Sequence, residues 1–397
     1  MDKKRTAFIL TALLALAAVV ISAAGCSYVV DGVDVSGYIP VTLTTYARFD
    51  CETAVNVYVA DDGEKERLFA LWNDEILPLL AEVETSLSCY SDPDEGAIAR
   101  FNAAAPGERV RLDECAYEAI EMCLQVYRET EGAFNPATAR SLDLWGFTDR
   151  FLSDGYAPVE AYDRADPHTQ LPEQKYISAF AELAEKFGGV TLQEDESGFY
   201  AIKPEDGCVT VDGADYSLAL ELGGIGKGIA ADEIASLLVE RGFKYGYVSV
   251  GGSSLVMLAN AARMTGGNTG LFDVSVVDPY KGGHYYRHYC RDVAVSTSGN
   301  YRNSYSIDGR VYSHIIGRDG VPYDTGVVTA SLFGPSAALC DAYTTAMCVM
   351  GMADGEAAAF ASKLKNYGYV LIYETNEPTI HTNLSGENLR GYAEVRG

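Results

Sequence analysis

The spacing of hydrophobic residues changes several times along this chain, and each change predicts an element. Ala7 to Ala24 is an unbroken apolar run preceded by Lys3, Lys4 and Arg5. Val55 to Ala60 alternates apolar with polar, the period of a strand, and Glu64 to Leu87 then shifts to the spacing of a long amphipathic helix. The cluster Ser91-Asp92-Pro93-Asp94 is a turn, because Pro and Asp favour turn backbones. Asp113 to Thr130 reads as a second helix ending near Gly132. An irregular Asp/Pro-rich segment from Thr148 to about Pro172 precedes a short helix up to Phe187.

From Val209 the texture is β-rich. Ser217 to Leu222 alternates, with Leu218, Leu220 and Leu222 on one side. Ala230, Ile234, Leu237 and Leu238 then place an amphipathic helix over Lys227 to Arg241. Tyr245 to Val250 is a strand ending in Gly251-Gly252. Further strands fall at Phe272 to Val277, Asp292 to Ser298, Tyr305 to Ile307, Val311 to Ile316, Thr325 to Phe333 and Gly368 to Tyr373. Pro335 to Met350 is a helix. No internal repeat is visible. Helices and strands interleave without a strict βαβ rhythm, so the class is α+β, with mixed sheets and packed helices.

Composition narrows the function. The chain has 397 residues, room for one large domain or two ordinary ones. Its net charge of -26 argues against nucleic acid, since a binder must neutralise phosphates with a basic face. A polyanionic ligand therefore needs a local cationic or metal-bearing pocket. The apolar run after the basic start matches a secretory signal, and Ala23-Ala24-Gly25-Cys26 resembles a lipoprotein processing site. The expected organisation is a signal peptide over 1–25, a tether from lipidated Cys26 to residue 45, and the folded domain over 46–397. That domain is expected outside the cytoplasm, held to the cell membrane; a retained, uncleaved anchor is the alternative. Setting Cys26 aside leaves eight cysteines, an even number that permits disulfides outside the cell, with no CxxC pair among them. Cys340 and Cys348, in an Ala-rich helix, read as small buried hydrophobes.

One stretch carries candidate chemistry. Glu221-Leu-Gly-Gly-Ile-Gly-Lys-Gly-Ile-Ala-Ala-Asp232 sets four glycines and a lysine between a strand-like and a helix-like run. A dinucleotide fold would need an acidic residue at the end of the next strand, where Gly251-Gly252 stand. A P-loop would need Ser or Thr after Lys227, where Gly228 stands. What remains is a helix N-terminus with free N–H groups, close backbone approach and a point charge. A tight strand-to-helix corner with a solvated lysine fits the stretch equally well.

Three further clusters favour a phosphate site. Gly132 to Thr138 leads into Leu142-Asp-Leu-Trp-Gly-Phe147. Tyr312-Ser-His-Ile-Ile316 puts His314 at a strand end, before the loop Gly317 to Pro322. Ala338 to Ala346 sets a lone carboxylate, Asp341, inside an apolar helix. Asp341 and Thr345 are four apart and share a helical face. A carboxylate among Ala, Leu, Cys and Met is costly to bury unless it is paired or coordinated. Two hard oxygens on adjacent turns suit Mg²⁺ or Ca²⁺.

Taken in order, these motifs resemble the ApbE family of FAD:protein FMN transferases, from about residue 45 to the end. The family's D-L-G-G-I-A-K-G-x-x-x-D is similar to Glu221 to Asp232, and its F-D-P-T…L-W-G-F to Phe134 to Phe147. Its S-R-F-D-P-D-S-E…N resembles Ser88 to Glu95 with Asn102. Its T-S-G-x-Y…Y-S-H-I-I-D-P-x-T-G-x-P resembles Thr297 to Tyr301, Tyr312 to Ile316 and Gly320 to Pro322. Its D-A-x-x-T-A resembles Asp341 to Ala346.

The resemblance implies a T-fold-like α+β domain that cleaves FAD, releases AMP and attaches FMN to a Ser or Thr of an acceptor flavoprotein. It implies Mg²⁺ on Asp341, Thr345 and the Gly224 carbonyl, and a flavin nucleotide near Tyr90, Phe134, Asn135, Glu221, Lys227, His314 and Ile315. His314 would deprotonate the acceptor hydroxyl, and Asp341 would act with it in catalysis. The chain departs from the pattern in carrying Glu221 and Asn135 where the family has aspartate, Gly226 for alanine, Cys51-Glu52-Thr53 for M-G-T and Gly317-Arg318 for D-P. Two other readings use the same residues: an FAD-binding or FAD-hydrolysing protein without transfer, and a small-ligand-binding lipoprotein. Only the first two nucleotide readings require Lys227 and Asp341 around one phosphate.

Overall fold

The computed structural model describes residues 28–148, 171–262, 270–301, 303–322, 325–351, 355–373 and 378–397. The expected signal peptide, Cys26 and nearly all of the Asp/Pro-rich segment lie outside them. Among the described residues the framework is a nine-stranded sheet whose strands lie side by side in chain order. They are Ile39–Thr45, Thr53–Val59, Gly246–Val250, Ser254–Met257, Val293–Gly299, Val327–Gly334, Gly368–Tyr373, Thr379–Thr382 and Ala393–Arg396. Neighbours are antiparallel except for the last pair, which is parallel. Val327–Gly334, the fourth strand from one edge, is buried at every position. Covered on both faces, it reads as a nearly continuous apolar run.

One face of this sheet carries helices. Gly226–Glu240, the glycine helix, and Ala337–Met350, the aspartate helix, pack against the sheet and each other. Residues 62–87 form the long predicted helix, broken in its middle by a π turn over Trp72–Ile76. Both end residues of that turn, Trp72 and Ile76, are buried. Glu114–Glu129 follows, capped by the Asp113 carboxylate on the Ala116 N–H. The opposite face carries a small sheet, Phe272–Val277 with His284–Cys290 and Glu387–Asn388. A second apolar core lies between the two sheets, around Val295, Phe333, Val370 and Ile372. Elements and fold class agree with the sequence reading at most positions.

Three expectations change. The strand expected over Ser217 to Leu222 stops at Ser217. Leu218, Leu220 and Leu222 are buried as the alternation implied, but so is Ala219. Both backbone groups of Leu220 bond to the Asn102 amide, which takes the place of a neighbouring strand. The described part of the expected tether, 28–45, is folded instead. Ile39–Thr45 forms the sheet's edge strand, and Val30 and Val35 pack against Tyr245 and Ala259. The strand expected through Ile316 closes at Ser313, leaving His314 on the following loop. All eight described cysteines are free thiols, and Cys340 and Cys348 are buried.

The two site helices approach closely at Gly228. A Cβ there would fall 2.4 Å from the Ala337 carbonyl oxygen and 2.5 Å from the Ala338 Cα, both rigid backbone. Gly228→Ala is therefore expected to lower unfolding stability by about 1–3 kcal/mol through forced separation of the helices, measurable by denaturant titration.

Candidate active site

The loop before the glycine helix is built from short backbone bonds. Glu221 N–H donates to the Pro136 carbonyl at 2.8 Å, tying this segment to the Phe134–Thr138 loop. The Glu221 carboxylate accepts the Gly223 N–H at 2.8 Å. Lys227, in the first turn, folds back to donate its Nζ to the Gly223 carbonyl at 2.9 Å. Gly224 lies between two partners: a Cβ there would meet the Phe134 ring at 3.3 Å and Thr345 Oγ1 at 3.4 Å. The absence of a side chain brings this backbone against the threonine hydroxyl.

The aspartate helix supplies the other wall. Its N-terminus is capped from the glycine helix, where Asp232 accepts the N–H groups of Ala337 at 2.8 Å and Ala338 at 3.0 Å. One turn on, Asp341 is only 3% exposed and accepts the Gly228 N–H at 3.3 Å. Burial pushes its carboxyl pKa up, and the nearby Lys227 charge and the Gly228 N–H pull the other way. Thr345 follows on the next turn, its hydroxyl 3.3 Å from that of Ser298.

His314 faces the same space from the loop after Arg310–Ser313. Its Nδ1 lies 3.3 Å from the Asn303 carbonyl and its own N–H donates there at 3.0 Å. With the proton on Nδ1, Nε2 keeps a free lone pair. Burial lowers the imidazole pKa below its usual value, the Asn303 carbonyl opposes this, and Lys227 lowers it further. The imidazole is thus held neutral. Burial likewise raises the Glu221 carboxyl, against the Gly223 N–H and Lys227.

Phe134, Asn135, Glu221, Gly224, Lys227, His314, Ile315, Asp341 and Thr345 all line one cavity of about 940 Å³. That size is near the top of the range for ligand pockets. Lys227 is the only Lys or Arg among its described lining residues. Its charge reaches Asp341, Glu221, His314 and Cys51. The separation of Lys227 from Asp341 that would favour a plain binding protein is not found.

Comparison with known proteins agrees with this geometry. The family model described as ApbE family matches residues 49–370. An FAD:protein FMN transferase of Treponema pallidum is 30% identical over 285 residues, covering 70% of this chain and 71% of that protein. One of Vibrio cholerae is 26% identical over 358 residues, covering 89% and 91%. The chain belongs to the ApbE family. Solved structures of the Vibrio cholerae flavin transferase ApbE and of the Thermotoga maritima ApbE protein both superpose with a TM-score of 0.65 at 21% identity. They cover 87% and 84% of this chain, and 97% and 94% of their own. At that identity they establish the fold.

Within this ApbE-family site, one expected residue is absent and another is committed elsewhere. Tyr90 is 52% exposed and does not line the cavity, because it sits in the turn beyond the end of Leu77–Leu87. The Asn135 amide reaches the cavity wall but donates to the Ala184 carbonyl and accepts the Ala137 N–H, so it shapes its own loop. Ser298, which holds the Thr345 hydroxyl, was in a quoted motif without a role. Cys51 and Gly251 were not foreseen as neighbours of Lys227. A Cβ on Gly251 would lie 3.2 Å from Lys227 Cδ and 3.3 Å from Cys51 Sγ. No local pattern joins these residues; the sheet does.

The residues also fit a hard divalent cation. One buried carboxylate, one hydroxyl and one backbone segment come together, an all-oxygen set suited to Mg²⁺ with waters and phosphate completing the shell. Among the described residues no group of three or more His, Cys, Asp or Glu could hold a metal.

Because the folded Asp341 pKa is raised, the folded protein binds the proton more readily, and metal-free stability falls as pH rises through that pKa. Asp341→Asn is expected to flatten this dependence. At neutral pH it should stabilise the metal-free protein by about 1 kcal/mol, seen as a melting point about 2 °C higher by calorimetry.

Proposed function

We propose that this protein is an FAD:protein FMN transferase that uses Mg²⁺ and attaches FMN to a Ser or Thr hydroxyl of an acceptor flavoprotein. The observation that carries this reading is the convergence of Asp341, Thr345, Gly224, Lys227 and His314 on one cavity, in a chain matched to the family over 49–370. Phosphoryl transfer needs positioning and charge neutralisation more than covalent help from the protein.

In this reading Phe134 and Ile315 supply apolar walls for the flavin nucleotide, and Glu221 fixes a polar edge of it. Lys227 approaches the pyrophosphate as a point charge. Asp341 and Thr345, with the Gly224 carbonyl, hold Mg²⁺, which when bound neutralises phosphate charge. His314 Nε2 accepts the proton of the acceptor hydroxyl while Nδ1–H stays on the Asn303 carbonyl. The acceptor oxygen forms a bond to the FMN phosphorus, and the bond from that phosphorus to the bridging oxygen breaks. AMP leaves with that oxygen.

The N-terminal residues support a lipid anchor on Cys26 at the outer face of the cell membrane, and hence an acceptor that is secreted or membrane-bound, such as a subunit of a membrane redox complex. Cys26→Ser is expected to abolish metabolic labelling by a fatty-acid analogue and to release the protein from the membrane fraction. Persistence of both would remove the anchor.

Mass spectrometry of a co-expressed acceptor should show an added FMN phosphoester, with AMP released and both products abolished by a chelator. FAD cleavage without protein-bound flavin would instead establish hydrolysis without transfer. His314→Ala should lower kcat by about 10²–10⁴ with FAD binding retained. Since neutral His314 is the competent form and burial lowers its pKa, the rate should fall in acidic solution, with a midpoint below that of an ordinary imidazole. A midpoint above that of an ordinary imidazole would exclude His314 as the base.

A further inference from the structure

The cavity has a second arm that the nucleotide does not explain. It passes the sheet end at Gly251-Gly252 and Ser298-Gly299 and continues down the face opposite the site helices. Strand alternation produces this division. Ser298 points to Thr345 on the helix face, while its neighbour Thr297 points to the other face and bonds the Ser331 hydroxyl at 2.8 Å. In the same arm Thr329 is 1% exposed, and its Oγ1 is buried without a hydrogen-bond partner in the protein.

The other wall of the arm is the strand Phe272–Val277. All six of its residues line the cavity, although their side chains alternate between two faces. Contact along consecutive residues means that a strand edge faces the space. Among the described residues this strand pairs on one side only, with His284–Cys290, so its free N–H and C=O groups point to the other side. Phe272 fixes it over the central sheet by an edge contact with the Tyr247 ring at 5.7 Å.

We propose that this edge receives the acceptor as an added β-strand, resting on the transferase reading above. The occupant is an extended segment of the acceptor bearing the reactive Ser or Thr, which pairs with Phe272–Val277 and passes its hydroxyl round the sheet end to the FMN phosphorus. Backbone pairing at a free edge gives affinity, and pockets for alternate side chains give specificity. The competing occupant is the adenosine half of FAD. A row of unpaired backbone N–H and C=O groups is complementary to another strand rather than to an uncharged nucleoside, which favours the peptide.

The test uses the full chain, FAD and Mg²⁺ with a pooled library of peptides, each carrying one threonine among randomised flanks. A peptide flavinylated by the wild-type protein is taken forward. Amide hydrogen exchange at Phe272–Val277 should slow when that peptide binds. Proline is placed at Val274 and at Ser275 in separate variants. Their N–H groups point to opposite edges, so one variant loses a free-edge donor and folds, and the other breaks pairing with His284–Cys290. The folded proline variant should raise the peptide KM about tenfold while the FAD Kd stays within about twofold of wild type. An unchanged peptide KM with no exchange protection overturns the proposal, as does a parallel rise in FAD Kd, which would give the arm to adenosine. If the wild-type protein cleaves FAD but modifies no peptide, recognition by an extended segment is wrong. If it neither binds nor cleaves FAD, the transferase reading itself fails.

Discussion

The site depends on one exchange between two helices. The glycine helix lends Asp232 to cap the first N–H groups of the aspartate helix, and the aspartate helix returns Asp341 to the N–H of Gly228. Each carboxylate meets the positive end of the other helix, the favourable sense of a helix dipole interaction. The exchange is possible because position 228 has no side chain and the backbone of Ala337 passes through the space a Cβ would fill. Sheet strands on both sides of the contact hold the helices in register. Everything that follows in the chamber inherits its position from that contact.

The consequence is electrostatic. Asp341 is buried beside Lys227, near a neutral His314 and a partly buried Glu221. Unliganded, this is an expensive arrangement, since carboxylates are held away from water with one cation among them. A divalent cation and a pyrophosphate would relieve it. The chain's overall charge of -26 makes a polyanion an unlikely ligand at large, and Lys227 with a metal on Asp341 makes it acceptable at one place. The stability sacrificed at Asp341 is the kind of local cost that functional sites carry.

Much of this was legible in the linear chain. The helix over 226–240 and the strands at Phe272–Val277 and Gly368–Tyr373 follow from hydrophobic period. Asp341 stood out because a carboxylate in an apolar helix needs a reason, and its spacing to Thr345 named the second oxygen. The motif order carried the family. Errors came where a distant side chain replaced a regular neighbour. The Asn102 amide takes the backbone groups of Leu220, so an alternating segment forms no strand there. Residues 39–45 look like a linker of Val and Thr, yet pair with Thr53–Val59 as an edge strand.

Sequence by itself therefore determined which residues have the chemistry: a lysine at a glycine-rich helix start, a buried-type aspartate, a threonine one turn on, a histidine near a strand end. These are local properties, set by residue type and spacing within a turn or two. Only the tertiary structure decided that Ser298 steadies the Thr345 hydroxyl, and that Cys51 and Gly251 lie beside Lys227. It also decided that one edge of Phe272–Val277 stays unpaired and faces the cavity. The physical reason is that each depends on strand register and helix separation, and those are fixed by packing between segments whose sequences carry no mark of one another.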